Sequence, residues 1–559
     1  MLLVSVCKPE ETPPRRARSN QLMRRLLVVL TSAYLTVTSV AFAQAPATPP
    51  APMPAATPAA APAASPPRAI PRPSPASPLD FAGPTAGSDL PDMGSPAETL
   101  LSKRDEFRLG AMVAKELRDE NALLEDPEVN EYLTSVEGRL AAQSAEGGLG
   151  FQSFMVKDTS INAFAVPGGY LFVNSGLLLA SGTESELAAV MAHETAHDTQ
   201  HHIARAIRAQ SQQSLTTAAA LIAAILLGSL AGGGQATEGA IVAAQGLAVQ
   251  QQINFTREEE KEADRVGMGY LYGAGFDPNA MGDMFETLGH SLGLAETYIP
   301  AMLIDHPVTS DRIAEARARA AQFPPRKGHD SLSFELIRER TRVLTATGDV
   351  DLAAQYAQKI AQGEDTLGNR YGEALALMTS NRADQAVQIL TQLVHQHEQL
   401  TLLYDALGQA QAKAGRFGDA VATFRQGEQL FPRNVPLTVR YAETLMANNR
   451  PGEAHTLLLD LFNLVPPTPD QIRLTALAAS AAADPGDAYY YMGEYQLANG
   501  DLQLAIQQYQ LALASPHISS IQRQRFQARL DEVRDFLMTT RKPRFTDNTG
   551  GGQGGGRGH

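Results

Sequence analysis

The chain of 559 residues carries 46 basic and 60 acidic side chains, a formal net charge of −14 and a pI near 5.4. No concentrated basic surface stands out to neutralise phosphates, which argues against nucleic-acid binding, and nothing suggests a nucleotide site. The single cysteine, Cys7, excludes a structural disulfide.

Arg24-Arg25, an apolar run from Leu26 to about Val40 and Ala41-Phe42-Ala43 read as a secretory signal with its cleavage site. Met23 is a natural start for it, and the mature chain is expected to begin near Gln44, so residues 1–43 are assigned to the signal region. Cys7 lies inside that region, and no cysteine at the cleavage site offers lipid attachment. Residues 44–88 are dominated by Pro, Ala and Ser, a composition that buries no core and favours a flexible tether.

Phe151 to Lys157 and Tyr170 to Val173 are rich in aromatic and branched side chains, and Pro167-Gly168-Gly169 interrupts them. Short strands around a turn are expected. Asn162, Phe164, Gly168 and Gly169 belong either to an edge strand that aligns an extended peptide through its main chain or simply to the packing of the fold.

Thr183, with Glu186 three residues later, has the pattern of a helix start, and apolar residues at helical spacing follow. On that helix stands His193-Glu194-Thr195-Ala196-His197. Four residues advance a helix by slightly more than one turn, so both imidazoles share a face and are able to bind one metal ion. Glu194 can reach a water at that metal and take its proton as it attacks a carbonyl. Catalytic zinc sites usually hold three protein ligands, so a third donor is expected from elsewhere.

Residues 215–249 come next. Leu215 to Ala231 is nearly uncharged and borderline in length for a membrane span, and a second apolar piece runs from Ala240 to Val249. The expectation is a buried or membrane-touching helical hairpin, with a transmembrane pair as the alternative. Phe255 to Gly267 forms a second helical stretch in which Glu260 and Asp264 share a face. Such an acidic run can be a solvated face. Beside the first motif it offers Glu260 as the missing zinc ligand and Asp264 as the group that orients a ligating His. Further on, His306-Pro307 precedes a charged helix and reads on its own as a turn or cap. Arg312 is placed to pair with a carboxylate or with a developing oxyanion.

The sequence changes character near Pro324-Pro325-Arg326-Lys327-Gly328. Tyr404, Leu407, Gly408, Ala420, Phe424 and Pro432 fit the tetratricopeptide pattern, and Ala442, Ala454, Leu458 and Pro466 repeat it about 34 residues later. A further unit with Tyr489, Gly493, Ala505, Tyr509 and Ala512 follows an insertion near residues 467–485. Stacked helix pairs of this kind build a solenoid that binds segments of other proteins on its concave side. A plain helical bundle is the alternative. Residues 541–559 form a Gly-rich tail expected to be disordered.

These residues resemble a family of zinc peptidases in which a His-Glu-x-x-His helix is followed by a Glu-x-x-Ala-Asp helix, including the CAAX prenyl protease and the heat-shock protease HtpX. Asn162 to Leu178 resembles the strand and turn before its active-site helix, and His306-Pro307 with Arg312-Ile313 resembles its later segment. With the C-terminal repeats, the resemblance runs from about Ser88 to Phe536 and is strongest to the periplasmic beta-barrel assembly-enhancing group. It implies one zinc ion per chain on His193, His197 and Glu260, with Glu194 as general base. It further implies that His306 reaches the zinc and leaves the resting enzyme latent. The expected fold is mostly α: an α+β zincin-like peptidase domain over residues 89–325, then an all-α tetratricopeptide solenoid over 330–540. Unfolded or stalled outer-membrane proteins are the implied substrates, the barrel-assembly machinery the implied partner, and the periplasm the implied location. Two alternatives remain: an assembly adaptor or chaperone that seldom cleaves, and a membrane-embedded protease like HtpX.

Overall fold

The computed structural model describes residues 103–144, 151–204, 222, 257–294, 306–326, 330–348 and 350–541. The signal region, the tether, the apolar run 215–249 apart from Ile222 and the tail beyond residue 541 lie outside the described residues. Among the described residues, no helix is long and apolar enough to cross a membrane.

Helices α1 (Lys103–Asp119) and α2 (Pro127–Ala141) precede strands β1 (Gln152–Val156), β2 (Ala163–Val166) and β3 (Tyr170–Asn174). Helix α3 (Ser175–Ala180) leads into α4 (Glu184–Thr199), and α5 (Arg257–Gly273), α6 (Ala280–Leu294) and α7 (Ser310–Ala320) complete the sheet-bearing part. The strand order is β1-β3-β2, with β1 parallel and β2 antiparallel to β3. β3 is buried along its whole length. Both of its faces are covered, which explains why Tyr170 to Val173 reads as continuous apolar sequence. Tyr170 and Phe172 pack with Leu109, Val113 and Leu117 of α1, while Leu171 and Val173 join the larger core that holds Leu187, Val190 and Met191 of α4.

The β2–β3 hairpin turns at Gly168, where φ is +99° and a Cβ would come within 2.6 Å of the Phe107 backbone. Both facts demand glycine there.

Twelve further helices follow among the described residues: α8 (Leu332–Leu344), α9 (Leu352–Ala361), α10 (Leu367–Thr379), α11 (Ala383–Gln396), α12 (Thr401–Lys413), α13 (Phe417–Leu430), α14 (Val435–Ala447), α15 (Pro451–Phe462), α16 (Pro469–Ala481), α17 (Pro485–Ala498), α18 (Leu502–Ala514) and α19 (Ser520–Arg541). The repeat residues read from the sequence pack as small-against-large pairs between neighbours: Gly408 of α12 leaves room for the ring of Phe424 of α13, and Gly493 of α17 does so for Tyr509 of α18. The insertion near 467–485 is filled by α16. Pro469 starts it with a preset φ, and the Gln471 side chain accepts the Thr468 backbone N–H at 3.0 Å.

Candidate active site

Helix α4 begins as its sequence requires: Thr183 Oγ1 accepts the N–H of Glu186 at 3.1 Å. The Glu186 carboxylate turns instead to the N–H of Gly182, at 2.9 Å. From Leu187 onward every residue of the helix is buried. One helical turn then sets His193 Nε2 and His197 Nε2 3.1 Å apart.

The second helix comes unusually close. A Cβ at Gly267 would lie 2.8 Å from the Ala192 carbonyl oxygen and 3.1 Å from His193 Cα. The missing side chain lets α5 settle against α4 and delivers Glu260 to the imidazoles. Its Oε2 lies 3.6 Å from His193 Nε2 and its Oε1 lies 3.5 Å from His197 Nε2. His306 closes the group, with Nδ1 3.3 Å from His193 Nε2 and 2.7 Å from Glu260 Oε1. One donor atom from each of His193, His197, Glu260 and His306 lies within 4.8 Å of the others, and all four residues are buried. Ligand bonds of about 2.0–2.1 Å to a tetrahedral metal separate the donors by about 3.3 Å, so this set fits such an ion.

Around it lies a second layer of charge. Asp264 Oδ1 is 3.0 Å from His193 Nδ1. Arg312 grips Asp264 at two points, Nε and Nη2 donating at 2.8 and 2.7 Å, while Nη1 is 2.7 Å from Glu260 Oε2 and also donates to the Pro307 carbonyl at 3.0 Å. Of the two roles open to Arg312 in the sequence, the structure shows carboxylate pairing. Burial pushes the Glu260 carboxyl upward, yet His306, His197 and His193 hold it well below the usual carboxylate range. Burial is opposed likewise at Asp264, held low by His193 and Arg312. His197 is driven well below the ordinary imidazole range by burial, which keeps the neutral, ligating form.

Glu194 stands apart from the donor set. Its Oε2 accepts the Ala165 N–H at 3.2 Å. Among the described residues its Oε1 has no hydrogen-bond partner, and it faces His306 Nε2 at 3.5 Å. Burial raises its affinity for a proton, with His306 and His193 pulling the other way. Ala165 is part of β2, which among the described residues pairs with β3 only, so β2 is the edge strand beside the carboxylates. Phe164 of β2 stacks on Phe172 at 5.0 Å, and Asn162 is buried just ahead of the strand, its carbonyl accepting from Asn174 N–H at 3.0 Å. Gly168 and Gly169 form the turn; Gly169 N–H donates to Asp198 Oδ2 at 3.0 Å and ties the hairpin to the end of α4.

Three participants went unread in the sequence. Glu137 of α2 is fully buried under α4 and accepts the Thr195 hydroxyl at 2.9 Å. His202 touches His197, and Gly267 sets the helix spacing. Only the His201-His202 doublet, five residues from His197, was a visible signal.

The model of peptidase family M48 matches residues 127–320, which span α2 to the end of α7. The beta-barrel assembly-enhancing protease of Escherichia coli is 30% identical over 449 residues, 80% of this chain and 91% of that one. A protein of Vibrio cholerae provisionally given the same name is 34% identical over 448 residues, 80% of this chain and 92% of that one. The chain belongs to this group of M48 peptidases. The mitochondrial metalloendopeptidase OMA1 of Schizosaccharomyces pombe shares 33% identity over 182 residues, 33% of this chain and 50% of that one. A tetratricopeptide repeat model matches residues 411–481, so the M48 part is followed by repeats of that class. As an M48 member, the chain is a metallopeptidase.

Proposed function

We propose that His193, His197 and Glu260 hold one zinc ion and that Glu194 is the general base of an endopeptidase. The observation that carries this reading is the convergence of two imidazole nitrogens and a carboxylate from separate helices at 3.1–3.6 Å spacing in a buried site. When bound, zinc lowers the pKa of water to about 7 and polarises the scissile carbonyl. Glu194 Oε1 takes the proton from the attacking water, while the Ala165 N–H fixes the other oxygen and so the plane of the carboxylate. Asp264 holds the His193 ring and Arg312 holds Asp264 and Glu260. The β2 edge, with Asn162 and Phe164 at its start and Gly168-Gly169 at its turn, receives an extended substrate strand.

The peptidase domain runs from 89 to 325 and the solenoid from 330 to 540. The substrates are misfolded or stalled outer-membrane proteins, the solenoid contacts the barrel-assembly machinery, and the site of action is the periplasm. The names and coverage of the E. coli and V. cholerae relatives support this, as do the exported-type leader at residues 23–43 and the repeat array. Metal content, together with cleavage of casein and of an unfolded barrel protein by wild type and Glu194→Gln, tests the proposal: one zinc per chain in both proteins and cleavage by wild type alone are expected. Folded wild type that holds no zinc after replenishment overturns it.

A second reading is favoured by one observation: His306 Nδ1 sits in the donor cluster, where the attacking water needs a place. The resting protein is then latent and works mainly as a chaperone or assembly adaptor until the His306 segment moves. Under it, Glu194→Gln loses cleavage and keeps assembly assistance; loss of both favours the purely proteolytic role.

A further inference from the structure

We infer that His202 is a positioning residue that fixes which ring nitrogen of His197 is free to bind metal, an inference that rests on the zinc ligation proposed above. His202 follows the end of α4. His201 adopts φ of 55°, and the His202 ring lies buried beneath His197, with centroids 4.8 Å apart and planes at 80°.

The two Nδ1 atoms are 2.9 Å apart. At that distance one nitrogen carries the hydrogen and the other offers its lone pair. If His202 donated, a neutral His197 would carry its own hydrogen on Nε2, the atom that points at His193 Nε2 and Glu260 Oε1, and it could not ligate. Ligation therefore demands the opposite arrangement: His197 donates from Nδ1, and His202 accepts. A neutral His202 then carries its hydrogen on Nε2. Glu262 Oε2 lies 3.4 Å from that atom and receives it. A directed chain results, from His197 through His202 to Glu262, with every donor facing an acceptor.

The other ligand is served differently. His193 Nδ1 meets the Asp264 carboxylate directly at 3.0 Å. Helix α5 thus supplies Glu260 to the metal, Asp264 to one histidine and, through His202, Glu262 to the other. Ligand-orienting partners of this sort typically contribute about 10- to 100-fold in metal affinity.

The test uses the full chain and a chromophoric chelator competing for zinc. His202→Leu, which keeps bulk and removes both nitrogens, is expected to weaken zinc binding about 10- to 100-fold. His202→Asn, whose Oδ1 stands near the position of Nδ1 and accepts the same hydrogen, is expected to recover most of that loss. Glu262→Gln should weaken binding less, and non-additively with His202→Leu. Nitrogen-15 spectra of zinc-loaded wild type should show hydrogen on His197 Nδ1 and on His202 Nε2, a readout that needs no variant. Equal zinc affinity in wild type and a folded His202→Leu, or a His202→Asn no better than Leu, overturns the inference, as does hydrogen on His202 Nδ1. Wild type that binds no zinc at all instead sinks the underlying site assignment, and the inference with it.

Discussion

Arg340 and Asp126 form a buried two-point ion pair across 214 residues of chain, with Nε and Nη2 each 2.7 Å from a carboxylate oxygen. Arg340 lies on α8, the first helix after the sheet-bearing part, and Asp126 caps α2. Arg440 of α14 joins them, donating to Asp126 Oδ2 at 2.9 Å and Glu128 Oε2 at 2.8 Å. Two acids and two guanidinium groups thus neutralise each other where α8 and α14 meet α2. Burial works against Asp126, but the two arginines hold its carboxyl down at about 2. Its folded value is below the ordinary 3.8, so its contribution is complete above pH 3.8 and fades as pH falls through about 2. Arg340→Ala strands buried carboxylates and is expected to cost about 3–5 kcal/mol, read from the urea midpoint at neutral pH. A change within 0.5 kcal/mol, roughly that of an ordinary surface substitution, would contradict this account.

Glu137 predicts the opposite pH trend. Burial raises its carboxyl from 4.5 to about 8, and Asp198 and Glu194 push the same way against the Thr195 hydroxyl. Below pH 4.5 both folded and unfolded chains hold this proton. As pH climbs from 4.5 towards 8 only the folded chain keeps it, so stability declines across that window. Relative to wild type, Glu137→Gln should therefore gain stability steadily between pH 5 and 8; parallel unfolding curves at both ends would refute the assignment.

The Gly267 approach gives a paired test on one helix. Gly267→Ala forces α5 away from the Ala192 carbonyl and moves Glu260, with an expected loss of activity of about 10- to 100-fold. Gly269→Ala, exposed on the same helix with nothing within 4 Å of its Cβ, should leave activity intact and stabilise the helix by roughly 0.5–1 kcal/mol. Casein cleavage and thermal unfolding measured on both variants separate helix propensity from helix spacing.

His306→Ala clears the fourth donor position. Cleavage well above wild type is the expected result. Unchanged activity together with unchanged metal geometry, followed by X-ray absorption at the zinc edge, would remove latency from the account.

Legibility in the sequence followed the range of the interaction. The one-turn spacing of His193 and His197, and of Glu260 and Asp264, is local, so the helix period alone placed each pair on one face. Their convergence with His306 came only with the family resemblance. Arg312 on Asp264, Glu137 under Thr195 and Arg340 on Asp126 join elements 48 to 214 residues apart, and no periodicity records such meetings. His201 and His202 were indistinguishable as letters; a single left-handed residue at His201 decides which ring turns inward. The helix Pro469–Ala481 was hidden for another reason: it interrupts the repeat phase, although its own start signals are ordinary.

Helix α8 and the helix bearing His193 and His197 are fastened start to start. Asp330 Oδ1 accepts the Glu184 N–H at 2.7 Å, and the Glu184 carboxylate in return receives the Ser331 N–H at 2.9 Å and the Ser331 hydroxyl at 2.8 Å. Any tilt of α8 must therefore break this clasp or swing the root of α4 with it. Under the proposed function, load placed on the helical array reaches the root of the helix that carries His193 and His197 through these three hydrogen bonds.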